Sequence, residues 1–126
     1  MTDALEHTVM PGMIDCHVHI TMTPRAIQDR LLIPPSLAVA EGLLNARATL
    51  QAGFTSARDA GGTPRGVKMA IDRGLYPGPR LRIAVSALSQ TAGHGDSVMP
   101  SGVHMQVTDV ERPLSVVDGV EEARGG

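Results

Sequence analysis

The sequence predicts an α/β fold built on parallel strands, and three observations carry that expectation. Residues 13–20 alternate with a period of two. Asp15, His17 and His19 fall on one side of a strand, and Ile14, Cys16, Val18 and Ile20 fall on the other. Residues 37–52 then place Leu37, Ala40, Leu43, Leu44, Ala48 and Leu50 at helical spacing, behind Ser36 as an N-cap and ahead of Gly53 as a stop. Residues 54–59 read as a second short strand. A strand, a helix and a strand in that order call for a parallel pair joined by a right-handed crossover.

The remaining elements follow from punctuation. Pro24, Pro34 and Pro35 interrupt regular structure, so residues 21–35 are expected to form a long loop. Residues 64–73 read as a second helix, capped by Thr63 and closed by Gly74. After the turn at 76–79, residues 80–87 offer a third strand with Leu81, Ile83 and Val85 on one face. Residues 88–107 are polar and irregular and read as a loop, and 118–124 as the start of a last helix. Three strands cannot close a barrel of eight, so any barrel here would be part of one.

Composition limits both core and partners. The chain has 126 residues, 42% of them hydrophobic, yet only one Phe, one Tyr and no Trp. Aliphatic side chains and methionines must therefore build the core, and they bury less area per residue than aromatic rings. A net charge of −2 without a basic cluster argues against nucleic acid or an anionic membrane surface as partner. No apolar run approaches the roughly 18 residues of a membrane span. The first nine residues do not resemble a signal peptide. A single cysteine, Cys16, forms no internal disulfide, which agrees with a reducing compartment, so a cytoplasmic location is expected.

The chemistry is concentrated in His17-Val18-His19. Two imidazoles at i and i+2 on a strand project to one side and can share an ion at roughly 2.0–2.1 Å per nitrogen. Spacing alone leaves open two polar residues on a solvated strand face. The wider run from Pro11 to His19, Pro-Gly-Met-Ile-Asp-Cys-His-Val-His, resembles the first-strand signature of the amidohydrolase superfamily. Residues 52–62 resemble its second-strand region, Gly78-Pro79-Arg80-Leu81 the entry to its third strand, and residues 91–96 the loop that follows. These last stretches are most similar to the branch of imidazolonepropionase-like enzymes and metal-dependent Xaa-Pro dipeptidases.

The resemblance implies the first three strand–helix units of a (β/α)8 TIM barrel over residues 10–126, with residues 1–9 a remnant of an N-terminal β-sandwich strand. It implies a hydrolase of C–N amide-type bonds, in dipeptides or cyclic amides, that uses one or two divalent ions, usually zinc. His17 and His19 would be metal ligands. The lysine, the later histidines and the proton-shuttling aspartate of such enzymes find no counterpart here, so no catalytic residue is expected in this chain. The expected partner is a small amide or peptide substrate, and homo-oligomerisation of the complete protein stays open.

His94, in the loop expected after the third strand, and Asp59, at the end of the second, are candidates for contacting substrate or supporting a ligand. His94 reads equally as an ordinary loop histidine. Asp59 could orient a ligand histidine through its free ring nitrogen, pair with Arg58, or cap a helix. His7 and His104 read as solvent-exposed. Cys16 is expected to face covering helices as a small apolar residue rather than serve as a ligand. A competing reading is a truncated chain that needs a partner and has no activity of its own. Another is a self-contained small fold that shares the motif by chance.

Overall fold

The computed structural model describes residues 7–105 and 116–125. Its elements run β1 (Met13–Val18), α1 (Ile27–Leu32), α2 (Pro35–Gln51), β2 (Phe54–Asp59), α3 (Arg65–Asp72), β3 (Arg80–Ile83) and α4 (Val120–Gly125). The three strands form one parallel sheet in the order β1-β2-β3. The α/β expectation and the parallel pairing hold.

Helices α2 and α3 start on a proline rather than on the hydroxyl side chains that the sequence suggested. Pro34 occupies the N-cap of α2, Pro35 opens the helix, and Ser36 lies inside the first turn. Pro64 likewise holds the N-cap of α3. A fixed φ near −65° is already helical, and the missing N–H is one that the first turn could not have satisfied. Thr63 is therefore not a cap; its hydroxyl is used elsewhere. The loop expected over 21–35 contains a six-residue helix, α1, which fits between Pro24 and Pro34. The third strand is shorter than expected and stops at Ile83.

Buried Ile20, Ala46, Ala57 and Leu81 make the core, with Val18, Ile71 and Ile83 packed against it. Helix α2 lies on β2, and α3 on β3 and α2. Close approach explains two glycines. A Cβ at Gly42 of α2 would stand 2.5 Å from Thr21 Cγ2, and one at Gly78 would stand 2.8 Å from Ile71 Cδ1. Both sites let backbone and side chain meet where a methyl group would not fit.

Strand β1 departs from simple alternation. Its pairing with β2 shifts register between Met13 and Ile14 and again between Asp15 and Val18. Three residues of β1 thus span two of β2, as in a bulge. Asp15 and Val18 come to lie beside buried Ala57 and Asp59, whereas Ile14 lies beside Ser56. Cys16 is consequently exposed, which corrects the expectation that it faces covering helices. Among the described elements β1 packs only on β2, so no helix stands over its first half. Ile14 is accordingly 69% exposed.

The sandwich strand expected over residues 1–9 lies largely outside the described residues, and His7 to Val9 are exposed without strand pairing. Between 88 and 105 the chain is irregular apart from single bridges, Val98 to His104 and Ser89 to Val116. No helix among the described residues is long and apolar enough to cross a membrane.

Candidate metal centre

The end of β1 is stitched to the turn after β2 by four hydrogen bonds. Ala60 N–H donates to the Val18 carbonyl at 2.9 Å. His19 Nδ1 lies 2.9 Å from the Gly61 carbonyl oxygen. Ile20 N–H donates to Asp59 Oδ2 at 2.8 Å, and Thr21 Oγ1 donates to the Gly62 carbonyl at 2.9 Å. Asn45 of α2 adds a bond from Nδ2 to the Ile20 carbonyl at 2.9 Å. Every residue from Val18 to Thr21 is thus held by a named partner.

Asp59 organises this corner. It is fully buried, and its carboxylate accepts from Ile20 N–H, from Gly61 N–H at 3.0 Å and from Thr63 Oγ1 at 2.6 Å. Three donors on one carboxylate make burial of the charge tolerable. Gly61 and Gly62 have φ values of +148° and +98°, a region that disfavours side chains, and this lets the turn present its carbonyls back to β1. Asp59 does not pair with Arg58, whose Nε donates to the Cys16 carbonyl at 2.7 Å.

The contact on His19 fixes its ring chemistry. A carbonyl oxygen only accepts, so Nδ1 carries the proton, and in the neutral imidazole Nε2 keeps its lone pair. His17 and His19 meet edge to face with ring centroids 5.2 Å apart. The backbone N–H of His17 donates to Asp15 Oδ1 at 3.0 Å, which steadies the bulged strand at this point. The two rings are neighbours and both exposed. As neutral nitrogen donors they fit a divalent ion as part of a ligand set. Among the described residues no group of three or more histidine, cysteine or acidic side chains forms a fuller set.

The structure places the other candidates apart from ligation. The orienting contact on His19 comes from the Gly61 carbonyl, and Asp59 acts one step behind it by holding Gly61 N–H. His94 is exposed in the turn after β3 and makes no hydrogen bond among the described residues. That turn is tightly built. Ala92 adopts a left-handed φ of +59° with its N–H on Asp96 Oδ2 at 2.7 Å, and Gly95 N–H donates to Ser89 Oγ at 3.0 Å. A Cβ at Gly93 would stand 2.4 Å from that same Ser89 oxygen. Sequence reasoning missed the role of Gly61 altogether. The adjacent Gly61-Gly62 was the available signal, legible as a turn but not as a support for a ring 42 residues away.

An Asp118 carboxylate ties the loop down, accepting from Thr91 N–H at 2.7 Å and from Thr91 Oγ1. These bonds, the side-chain one first, hold the Asp118 pKa below its ordinary 3.8.

The described elements thus define an α/β chain with a three-stranded parallel sheet and a histidine pair at the C-terminal end of its first strand. Residues 8–124 match the Amidohydrolase family, and the chain belongs to it. Over 129 aligned residues it is 36% identical to ochratoxinase of Aspergillus niger, covering 92% of this chain and 27% of that protein. The crystal structure of A. niger ochratoxinase superposes with a TM-score of 0.74 at 35% identity, over 92% of this chain and 30% of that one. A prolidase crystallised with N-methylphosphonate-L-proline gives a TM-score of 0.73 at 39% identity, over 91% and 29%. A Xaa-Pro dipeptidase with bound methionine, at 23% identity and a TM-score of 0.68, shares the fold. The chain spans less than a third of the length of these relatives.

Two outcomes test the site's construction. Asp59→Asn replaces an acceptor oxygen by a donor against three N–H and O–H groups, and should cost about 2–4 kcal/mol, read from the urea midpoint. Asp118 has a folded pKa below its unfolded value. Its contribution is therefore complete above about pH 3.8 and is lost as the pH falls through the lower folded value. The Thr91 amide proton shift should be flat above pH 4 or so and move below it, and Asp118→Asn should abolish that movement.

Proposed function

We propose that the chain forms the first part of a (β/α)8 amidohydrolase barrel that hydrolyses the C–N amide bond of a small peptide-like or cyclic amide substrate. His17 and His19 hold a divalent ion in it. The observation that carries this reading is the His19 ring, held at Nδ1 by the Gly61 carbonyl with Nε2 left free beside His17. The family generally depends on metal, and zinc is among the ions that imidazole donors suit. An ion bound there supplies a nucleophile from water near neutral pH and polarises a carbonyl.

The chain's own residues set the geometry for that chemistry. Gly61 selects the His19 tautomer, Asp59 keeps Gly61 in place, and Asp15 steadies the backbone of His17. Amide-bond substrates are supported by the relatives, a prolidase and an ochratoxinase. Barrel active sites lie at the C-terminal ends of strands, which is where His19 and the turns after β2 and β3 sit.

The two exposed sheet edges and the lack of a third ligand among the described residues favour one further point. Residues 1–126 alone bind metal weakly and do not turn over. The complete site draws its other ligands from further strands, on the same polypeptide or on a partner chain.

The test uses a polypeptide that contains this chain and spans the length of the relatives, loaded with zinc and assayed on an Xaa-Pro dipeptide. His17→Ala and His19→Ala should each lower kcat/KM by more than about a hundredfold, beyond the ~10–100-fold expected for loss of a residue that merely supports a ligand. The isolated 126-residue chain should show no turnover. Unchanged activity in either histidine variant contradicts the proposal.

A further inference from the structure

The two histidines are aimed by different means. His19 is held through its ring by the Gly61 carbonyl, whereas the ring of His17 makes no hydrogen bond among the described residues and meets only the His19 ring edge to face. The direction of His17 therefore comes from its backbone, and that backbone lies in the bulge of β1. Asp15 pairs with Ala57 and Val18 with Asp59, so Cys16 and His17 together face a single residue of β2, Arg58. A bulge leaves peptide groups without a ladder partner, and each such group needs another.

Side chains supply both partners. The peptide that joins Cys16 to His17 has its carbonyl held by Arg58 Nε–H at 2.7 Å and its N–H held by Asp15 Oδ1 at 3.0 Å. A peptide unit is planar, so a partner at each end fixes its tilt, and with it the start of His17. The charges match the groups they meet, the cation on the oxygen and the anion on the N–H. One residue further on, the Val18 carbonyl accepts from Ala60 N–H. His17 thus sits between a clamped peptide and a paired residue. Both bonds of the clamp lie within the β1–β2 pair, and neither uses the terminal nitrogens of Arg58. The arrangement does not depend on what covers the sheet.

We infer that Arg58 is a positioning residue of the metal centre: its Nε–H replaces the ladder bond that the bulge omits and, with Asp15, turns His17 towards His19. This rests on His17 being a metal ligand, as proposed above. Gly61 acts on one ligand from the ring side, and Arg58 acts on the other from the backbone side.

The substitutions Arg58→Gln and Arg58→Met separate the donor from the charge. Glutamine carries an N–H as far along its side chain as Arg58 Nε, without the charge, and methionine puts a methyl group there. In the polypeptide that spans the length of the relatives, Arg58→Met should weaken zinc binding about ten- to hundredfold, the range for loss of a group that orients a ligand. Competition with a chromogenic chelator reads this, and Arg58→Gln should recover most of the loss. Without metal, Arg58→Met should speed hydrogen exchange of the His17 amide while the Ala60 amide keeps its rate, which separates a loosened peptide from a failed fold. The unaltered metal-free protein gives a reading that needs no variant. Its Arg58 Nε–H should exchange about tenfold or more slowly than that of free arginine. Unchanged zinc affinity in Arg58→Met, where His17→Ala loses it, overturns this inference alone. So does an Arg58→Gln variant as weak as Arg58→Met, or an Arg58 Nε–H that exchanges like that of the free amino acid. Unchanged affinity in His17→Ala overturns the metal proposal and this inference together.

Discussion

The buried carboxylate of Asp59 is the constraint on which the other features depend. Its oxygens collect the backbone just after β1 at Ile20, the turn at Gly61 and the hydroxyl of Thr63. One side chain thus joins the end of the first strand, the end of the second and the entry to α3. A charge with no exposure is costly unless every lone pair is used, and here the donors converge from three directions. The same corner fixes His19. Asp59 holds Gly61 N–H, and the carbonyl of that residue holds the ring. Site and fold therefore share a single hydrogen-bonded node.

Much of this was legible in the sequence, and the misses have physical causes. Strong periodicity placed β1, α2, β2 and α3 within a few residues of where they lie. Helix starts were misplaced because Ser36 and Thr63 resemble caps, whereas the neighbouring prolines, with φ set in advance, win the position. The bulge in β1 was invisible to a period-two reading, which has no means of inserting a residue, and Cys16 consequently changed sides. The histidine pair was evident from its spacing and motif. Its support was not, because the Gly61 carbonyl is a backbone atom and leaves no signature of its own.

The small core and the exposed face belong to one picture. Two of the four core side chains are alanines, and β1 meets no helix over its first half. Parallel sheets are as a rule covered on both faces. This one carries a ladder of arginines on its far face and exposed Ile14 at its edge. Helices secure the core side, and the other side carries exposed arginines, with the histidine pair at the end of β1. Ochratoxinase and the prolidase, each more than three times longer by aligned share, show how large an architecture this segment can enter.

The arrangement of this corner rests most directly on the protonation of one ring. Two-bond ¹H–¹⁵N correlation of the imidazoles at about pH 8, where an ordinary histidine is neutral, reads the tautomer of His19 without metal, substrate or turnover. The structure predicts a proton held on Nδ1 and an unprotonated Nε2, with the balance relaxing towards that of a free imidazole in Asp59→Asn. A proton on Nε2 in the unaltered chain, or free averaging between the two nitrogens, would contradict it.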